Sequence, residues 1–267
     1  MKRILVPTDF SPNATKALDF AVQIARRLKG DIVLVHATET PDTATAIQEA
    51  SGKLELLRKS IQESESIQVI TDVVADSSVN LVLDAIPNYN IDLVVMGTVG
   101  NTGFREKVFG SRTAKVIAES PVPVLAIPLL SDWKTPGRIL LAINKFEEAE
   151  KRINPVLELA NVLRANIQVA IFTDTDDDYV EDYGEHEVKI AGFRDQLRAK
   201  YPDLDIQAVH LAGKHFLESL QNWIDKNDIT MLVMLTHKRK LFENIFNPSR
   251  TQKMSYHTNV PMLAIPV

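Results

Sequence analysis

The sequence predicts an α/β protein with two tandem five-stranded doubly wound parallel sheets, a flavodoxin-like strand order and helices on both faces of each sheet. Short uninterrupted apolar runs such as "DIVLVHA" and "IDLVVMG" are typical of strands that are covered on both faces. Amphipathic stretches separate these runs, as parallel strands joined by helical crossovers require. The whole pattern occurs twice along the 267 residues, which predicts two domains.

The second half of the chain repeats the first. Residues 96–128 match residues 234–266 without a gap, with 13 identities in 33 positions. The segment "RILVPTDFS" from Arg3 also resembles "RILLAINKF" from Arg138. Self-similarity of this length indicates a duplicated structural unit.

The first unit is predicted over residues 1–130. It begins with the buried strand "RILVPT" and a helix that Ser11 caps, Pro12 opens and Gly30 ends. The later predicted elements are a strand over 31–37, a helix over 43–63, a strand over 66–74, a helix over 78–89, a strand over 91–97, a helix over 111–119 and a strand over 122–128.

The second unit is predicted over residues 137–267, after the short connector "SDWKTPG". It repeats the same order of elements, with helices between its strands. The strands are expected near Ile139, Ile167, Ile206, Met231 and Met262.

Composition and charge narrow the classes of function. A net charge of −5 argues against a nucleic-acid partner, because a protein that binds nucleic acid usually presents a strongly basic face. The chain has no cysteine, so disulfides and thiolate sites are excluded and a cytoplasmic location is expected. No apolar run reaches the length of a membrane span, and the first one is too short for a signal peptide, so no membrane association is expected.

No metal site and no catalytic residue is predicted. The acidic stretch "DTDDDYVEDYGE" has Tyr179 where a calcium loop requires glycine, and it follows a strand rather than a helix. The six histidines show no spacing that predicts zinc, and no Ser-His-Asp set can be assembled from spacing alone.

The loop after the fourth predicted strand has the features of a phosphate-binding site. Gly97 ends the strand, and Gly100 permits a positive φ or a close backbone approach. Gly110 and Ser111 open a helix whose free N–H groups favour an anion, and the Ser111 and Thr113 hydroxyls add donors there. A surface turn with a glycine hinge is the competing interpretation. The spacing matches neither a Walker P-loop nor a Rossmann fingerprint.

The first half resembles the universal stress protein family. The spacing of Gly97, Gly100 and Gly110-Ser111 reproduces that family's ATP-binding pattern, and "ILVPTDFSPNATKAL" and "SPVPVLAIP" resemble its two ends. The similarity covers the whole first half and, more faintly, the second. It implies that one ATP lies across the strand ends, with Mg²⁺ as a companion left open, and that the last strand is an association surface. The two halves would then pair as an intramolecular pseudo-dimer, and a homodimer of two chains is left open.

The resemblance also implies which residues bind the nucleotide. Asp9 can accept hydrogen bonds from adenine or ribose, although capping of the following helix explains it equally well. Arg112 can screen phosphate charge, although an exposed arginine is commonly only solvated. The residues implied are Pro7, Thr8, Asp9, Val35, Met96, Gly97, Gly100, Asn101, Gly110, Ser111, Arg112 and Thr113.

The second half has lost the glycines of this loop. Leu235, Lys238 and Pro248 occupy the positions of Gly97, Gly100 and Gly110, and Asn144 replaces Asp9. Side chains would fill the space that a nucleotide needs, and proline removes one N–H donor. We therefore expect one nucleotide site per chain.

The predicted function is a nucleotide-binding module in stress response, with ATP in the first domain and the second domain used for packing or contact with protein partners. The alternatives are a slow ATP hydrolase or phosphoryl-transfer enzyme, and a scaffold that binds a lipid or metabolite without nucleotide. Efficient catalysis is not expected, because Asp9 is the single carboxylate that can be assigned to the site.

Overall fold

The structure is a computed structural model that describes residues 1–38, 43–75, 77–98, 111–143, 146–175, 181–236 and 260–267. The chain divides into two compact units. The first takes in Met1–Trp133, and the second takes in Lys134–His237 with Val260–Ile265. No helix in these ranges is long and apolar enough to cross a membrane.

The first unit alternates strands and helices in the predicted order. Its strands are β1 (Arg3–Pro7), β2 (Asp31–Ala37), β3 (Val69–Val74), β4 (Leu93–Gly97) and β5 (Val124–Ile127). Its helices are α1 (Pro12–Leu28), α2 (Thr43–Ser64), α3 (Ser78–Asn88) and α4 (Ser111–Glu119).

All paired strands of the first unit are parallel, in the order β3-β2-β1-β4-β5. The doubly wound α/β fold is confirmed. The flavodoxin-like strand order is wrong in detail, because that arrangement would run 2-1-3-4-5. Crossovers between parallel strands are right-handed as a rule whichever side of β1 they reach, so the sequence pattern does not distinguish the two orders.

The second unit repeats this topology. Its strands are β6 (Arg138–Ile143), β7 (Asn166–Asp174), β8 (Ile206–Gly213), β9 (Met231–Thr236) and β10 (Met262–Pro266), in the order β10-β9-β6-β7-β8. Its helices are α5 (Phe146–Arg152), α6 (Asn154–Leu163), α7 (Glu181–Lys200) and α8 (Phe216–Lys226). Arg3 pairs with Asp31 and Arg138 with Asn166, so positions in the first two strands of each unit correspond with an offset of 135.

Helix α1 follows β1 and packs on the sheet of the first unit. The Ser11 side chain accepts a hydrogen bond from the Ala14 backbone N–H at 3.2 Å, which satisfies one free donor of the first turn. Lys29 ends the helix in the left-handed conformation, with φ of 51°. The side chains that α1 buries include Phe20 and Ile24, and Phe20 packs edge-on against Trp133 of the connector.

Candidate functional site

A cavity of about 230 Å³ opens at the carboxyl ends of β1, β2 and β4. The strand order of the first unit reverses between β1 and β4, and ligands of open α/β sheets bind outside the strand ends at such a point. The residues from the predicted set that line this cavity are Pro7, Thr8, Asp9, Val35, Met96, Gly97, Arg112 and Thr113. The structure thus brings together side chains that lie more than 100 positions apart in the sequence.

Hydrogen bonds to side chains fix the turn that joins β1 to α1. The Thr8 hydroxyl accepts from the Phe10 N–H, and the Asp9 carboxylate accepts from the Ser11 N–H, both at 3.0 Å. These are the local turns that threonine and aspartate favour. A carboxylate has about four lone-pair positions, so the turn contact leaves Asp9 able to accept from a ligand as well. Helix capping and ligand binding are therefore compatible roles for Asp9.

Gly97 is required by the packing of α1 on β4. A Cβ atom at this position would lie 2.6 Å from the Cγ and Oδ1 atoms of Asn13, which is closer than side chains approach. Asn13 is buried and donates a hydrogen bond from Nδ2 to the Ile127 carbonyl at 3.0 Å. The glycine therefore admits an asparagine that connects α1 to β5, and this packing role was not predicted from the loop pattern.

Thr113 has a structural contact in place of the predicted donor role. Its buried hydroxyl donates to the Gly97 carbonyl at 2.9 Å, so its single hydrogen is directed at β4 and not at a phosphate. Ser111 and Arg112 are exposed in the first turn of α4, and Arg112 lines the cavity. The cation and the helix N-terminus both favour an anion on this side.

Helix α3 forms an apolar wall that sequence reasoning missed. Ser78, Val79, Leu81 and Val82 line the cavity, and the last three side chains are buried. The remaining lining residues outside the predicted set are Ser11, Ala14, Ala37 and Val116. One signal was available, since α3 follows β3 and therefore begins at the same edge of the sheet as the glycine loop. An apolar wall opposite a carboxylate and a cation suits a ligand with a flat, weakly polar body and a charged end.

Three predicted residues, Gly100, Asn101 and Gly110, lie outside the described residues, as do Asn144, Lys238 and Pro248 of the second half. Leu235 is described, and its side chain is 2% exposed. Within the described ranges, no group of three or more acidic or histidine side chains is arranged to hold a metal ion.

The corresponding edge of the second unit carries a different cluster. The buried Thr173 hydroxyl lies 2.7 Å from His186 Nδ1 and 2.7 Å from His210 Nε2. Tyr183 stacks on the His210 ring at a centroid distance of 4.1 Å. Burial, followed by the charge of His186, lowers the pKa of His210 below its usual value.

The His210 tautomer follows from its neighbours. Its Nδ1 atom is buried without a hydrogen-bond partner among the described residues. A bare lone pair there costs less than an unpaired N–H, so the proton belongs on Nε2, which donates to Thr173. Thr173 then donates to His186 Nδ1. The cluster orients α7 on β7 and β8.

Comparison with known proteins assigns a family. The model of the universal stress protein family matches residues 1–128. A universal stress protein of Methanocaldococcus jannaschii is 26% identical over 138 residues, which cover 47% of this chain and 81% of that relative. Universal stress protein C of Escherichia coli O157:H7 is 30% identical over 142 residues, which cover 48% of this chain and 96% of that relative.

A solved structure matches along almost the whole chain. A universal stress protein from Archaeoglobus fulgidus superposes with a TM-score of 0.75 at 17% identity, covering 98% of this chain and 97% of that chain. At this identity the likeness establishes the fold alone. The match of the family model, together with a relative that is 30% identical and is covered over 96% of its length, shows that the chain belongs to the universal stress protein family.

Proposed function

We propose that the first domain binds one adenine nucleotide, ATP, at the cavity between the ends of β1 and β4, and that the protein acts as a nucleotide-binding module in stress response. The observation that carries the proposal is the convergence of Asp9, Val35 and Arg112 on one cavity at the reversal of strand order. The second domain serves packing or contact with protein partners. The pairing of the two halves as a pseudo-dimer stays a prediction.

The apolar lining of the cavity supports the binding of a nucleoside at the inner end of the cavity. Val35, Val79, Leu81 and Val82 provide an apolar surface for a base, and Asp9 supplies an acceptor for its polar groups. The cavity volume of about 230 Å³ lies below the roughly 300–1,000 Å³ that enclose drug-sized ligands, so a triphosphate would extend from it toward α4.

The start of α4 supports the phosphate end. Arg112 provides a guanidinium that can bind phosphate oxygens in pairs, and the first turn of the helix presents N–H groups. Gly100 and Gly110 are proposed from their spacing to let the phosphates approach the backbone. ATP arrives with Mg²⁺ in the cell, and phosphate oxygens with water can complete the coordination of that ion.

Binding without rapid turnover is the better account of these residues. Phosphoryl transfer requires metal ligands and a group that positions the nucleophile. Asp9 is the single carboxylate among the described lining residues, and one of its oxygens already accepts from Ser11 N–H. We therefore propose that any ATP hydrolysis is slow. No described contact favours a lipid or metabolite in place of the nucleotide.

Isothermal titration of the protein with ATP and with adenosine tests the proposal. We expect ATP with Mg²⁺ to bind, and Arg112→Ala to weaken ATP by about tenfold or more, the worth of a hydrogen bond to a charged group. The same change should leave adenosine affinity unaltered. Arg194→Ala is the matched control, because this arginine of α7 pairs with Asp195 in the second unit. Absence of ATP binding, or equal losses for ATP and adenosine, would contradict the assignment.

A further inference from the structure

Phe10 has an unusual backbone conformation beside the cavity. Its φ angle is 60°, in the left-handed region that bulky aromatic residues rarely adopt. The residue lies between Asp9 and Ser11, both of which line the cavity. A strained residue at such a place persists only when its surroundings hold it, and such strain is concentrated at ligand sites.

His36 contacts this turn from outside it, in addition to the bonds that the turn's own side chains make. Its Nδ1 atom lies 2.7 Å from the Thr8 carbonyl oxygen. Because a carbonyl can only accept, Nδ1 carries the hydrogen and donates to Thr8. The His36 ring also packs on the Phe10 ring at a centroid distance of 4.6 Å and an angle of 37°. Lys53 of α2 lies 5.3 Å from the centre of the same Phe10 ring.

The position of His36 on β2 explains how it acts without lining the cavity. Val35 lines the cavity, and neighbouring residues of a strand point to opposite faces of the sheet. His36 therefore reaches the turn from the far face, through the Thr8 carbonyl and the Phe10 ring. Its counterpart in the second unit is Ile171, by the offset of 135, and an isoleucine can make neither contact.

We infer that His36 is a positioning residue for the nucleotide site: it holds the turn of residues 8–11 in the conformation that presents Thr8 and Asp9 to the ligand. This inference rests on the proposed function for its effect on binding, but the ordering of the turn is independent of any ligand. A turn that is already ordered loses less conformational freedom on binding, which raises affinity.

Two substitutions separate the hydrogen bond from the ring contact. His36→Phe keeps an aromatic ring against Phe10 and removes the Nδ1 donor. His36→Asn keeps an amide donor at the place of Nδ1 and removes the ring. His36→Ala removes both. His215→Phe in the second unit is the matched control, because that histidine makes no side-chain cap bond at the start of α8.

The experiment measures amide hydrogen exchange of the peptide covering residues 7–15 in the protein without nucleotide, and ATP affinity by calorimetry. We expect His36→Phe and His36→Ala to accelerate exchange of the Phe10 and Ser11 amides and to weaken ATP about five- to tenfold, the worth of one hydrogen bond. His36→Asn should restore most of both, and His215→Phe should change neither.

The outcomes are distinct. Unchanged exchange at Phe10 and Ser11 in His36→Phe and His36→Ala would overturn the positioning role. Equal losses in His36→Asn and His36→Phe would also overturn the hydrogen bond as its basis. Accelerated exchange in the turn together with no ATP binding by the unaltered protein would uphold the role of His36 in ordering the turn and would contradict the proposed function alone.

Discussion

The carboxyl ends of the strands differ sharply between the two units, although the strand order is the same. In the first unit Gly97 ends β4 and admits Asn13, and Thr8 and Asp9 line a cavity. In the second unit buried Leu235 corresponds to Gly97, and buried Ile143 corresponds to Thr8. Apolar strands maintain the fold in both units, whereas the residues at the ends of the strands differ in size and polarity, and this difference is the basis of the proposal of one nucleotide site per chain.

The first helix of each unit shows the same contrast. Helix α1 is continuous over Pro12–Leu28 and begins at Ser11 with a side-chain cap. Its counterpart in the second unit is divided into α5 and α6 at Ile153, which caps no N–H with its side chain. Pro155 lies in the first turn of α6, and its missing N–H prevents the helix from running through this point. The start of α1 thus carries a side-chain cap, whereas the start of α6 in the second unit carries none.

The largest effect is expected at the strand ends of the second unit, where Leu235 stands at the position of Gly97. Leu235→Ala should lower the free energy of unfolding by about 2–5 kcal/mol, because a buried leucine is truncated and leaves a cavity. ATP affinity should not change, since the side chain belongs to the unit without the proposed site. Urea denaturation and calorimetry on the same samples measure both. A gain of a second nucleotide per chain would show that Leu235 alone closes the second site.

The opposite substitution, of glycine by leucine, tests the strand ends of the first unit, where the cavity opens. Gly97→Leu should lower the free energy of unfolding by about 1–3 kcal/mol, because the new side chain meets Asn13. It should also abolish most ATP binding, since α1 and β4 must separate at the cavity. Gly52→Leu is the control, because nothing lies within 4 Å of a Cβ atom at that position of α2. ATP affinity that survives Gly97→Leu would contradict the location of the site.

A smaller effect separates the two roles of Asp9. Asp9→Ala removes the acceptor of the Ser11 N–H and should lower the free energy of unfolding by about 1 kcal/mol. Asp9→Asn keeps an acceptor in the turn and should retain stability, yet it should weaken ATP because the charge is lost. Asp174→Asn, at the end of β7, is the matched control in the second unit. If Asp9→Asn bound ATP as tightly as the unaltered protein, Asp9 would be a residue of the turn alone.

The smallest expected effect is the contribution of His210, in the second unit, to the pH dependence of the free energy of unfolding. Because burial lowers the pKa of His210 in the folded state, the unfolded chain binds more protons once the pH falls below the usual histidine pKa of about 6.5. The free energy of unfolding should therefore decrease from about pH 6.5 downward, through the lowered pKa. Glu187 opposes this shift, and His186 adds to it. His210→Gln should flatten the slope, measured by urea denaturation from pH 7 to pH 5. If the slope is unchanged in His210→Gln, His210 does not cause this pH dependence.

Much of the fold was predictable because strands and helices carry local signals. The predicted strand over 31–37 and helix over 111–119 agree with β2 and α4 to the residue. Apolar runs and capping residues mark these elements directly. The strand order was not predictable, because it depends on which side of β1 each crossover packs, and no local pattern records that choice.

The site was partly predictable for a related reason. Residues at strand ends, such as Asp9 and Gly97, are indicated by the topology of a parallel sheet. The α3 wall and the bond from His36 to Thr8 depend on contacts between elements distant in sequence. Gly97 marks the limit of sequence prediction: the loop pattern indicates a ligand-binding glycine, whereas the structure explains the residue by the close approach of Asn13.

Native mass spectrometry of the purified protein with ATP and Mg²⁺ measures whether the first domain alone binds a nucleotide. We expect one adenine nucleotide per chain, which is lost in Gly97→Leu and retained in Leu235→Ala. No bound nucleotide, or two per chain in the unaltered protein, would contradict it.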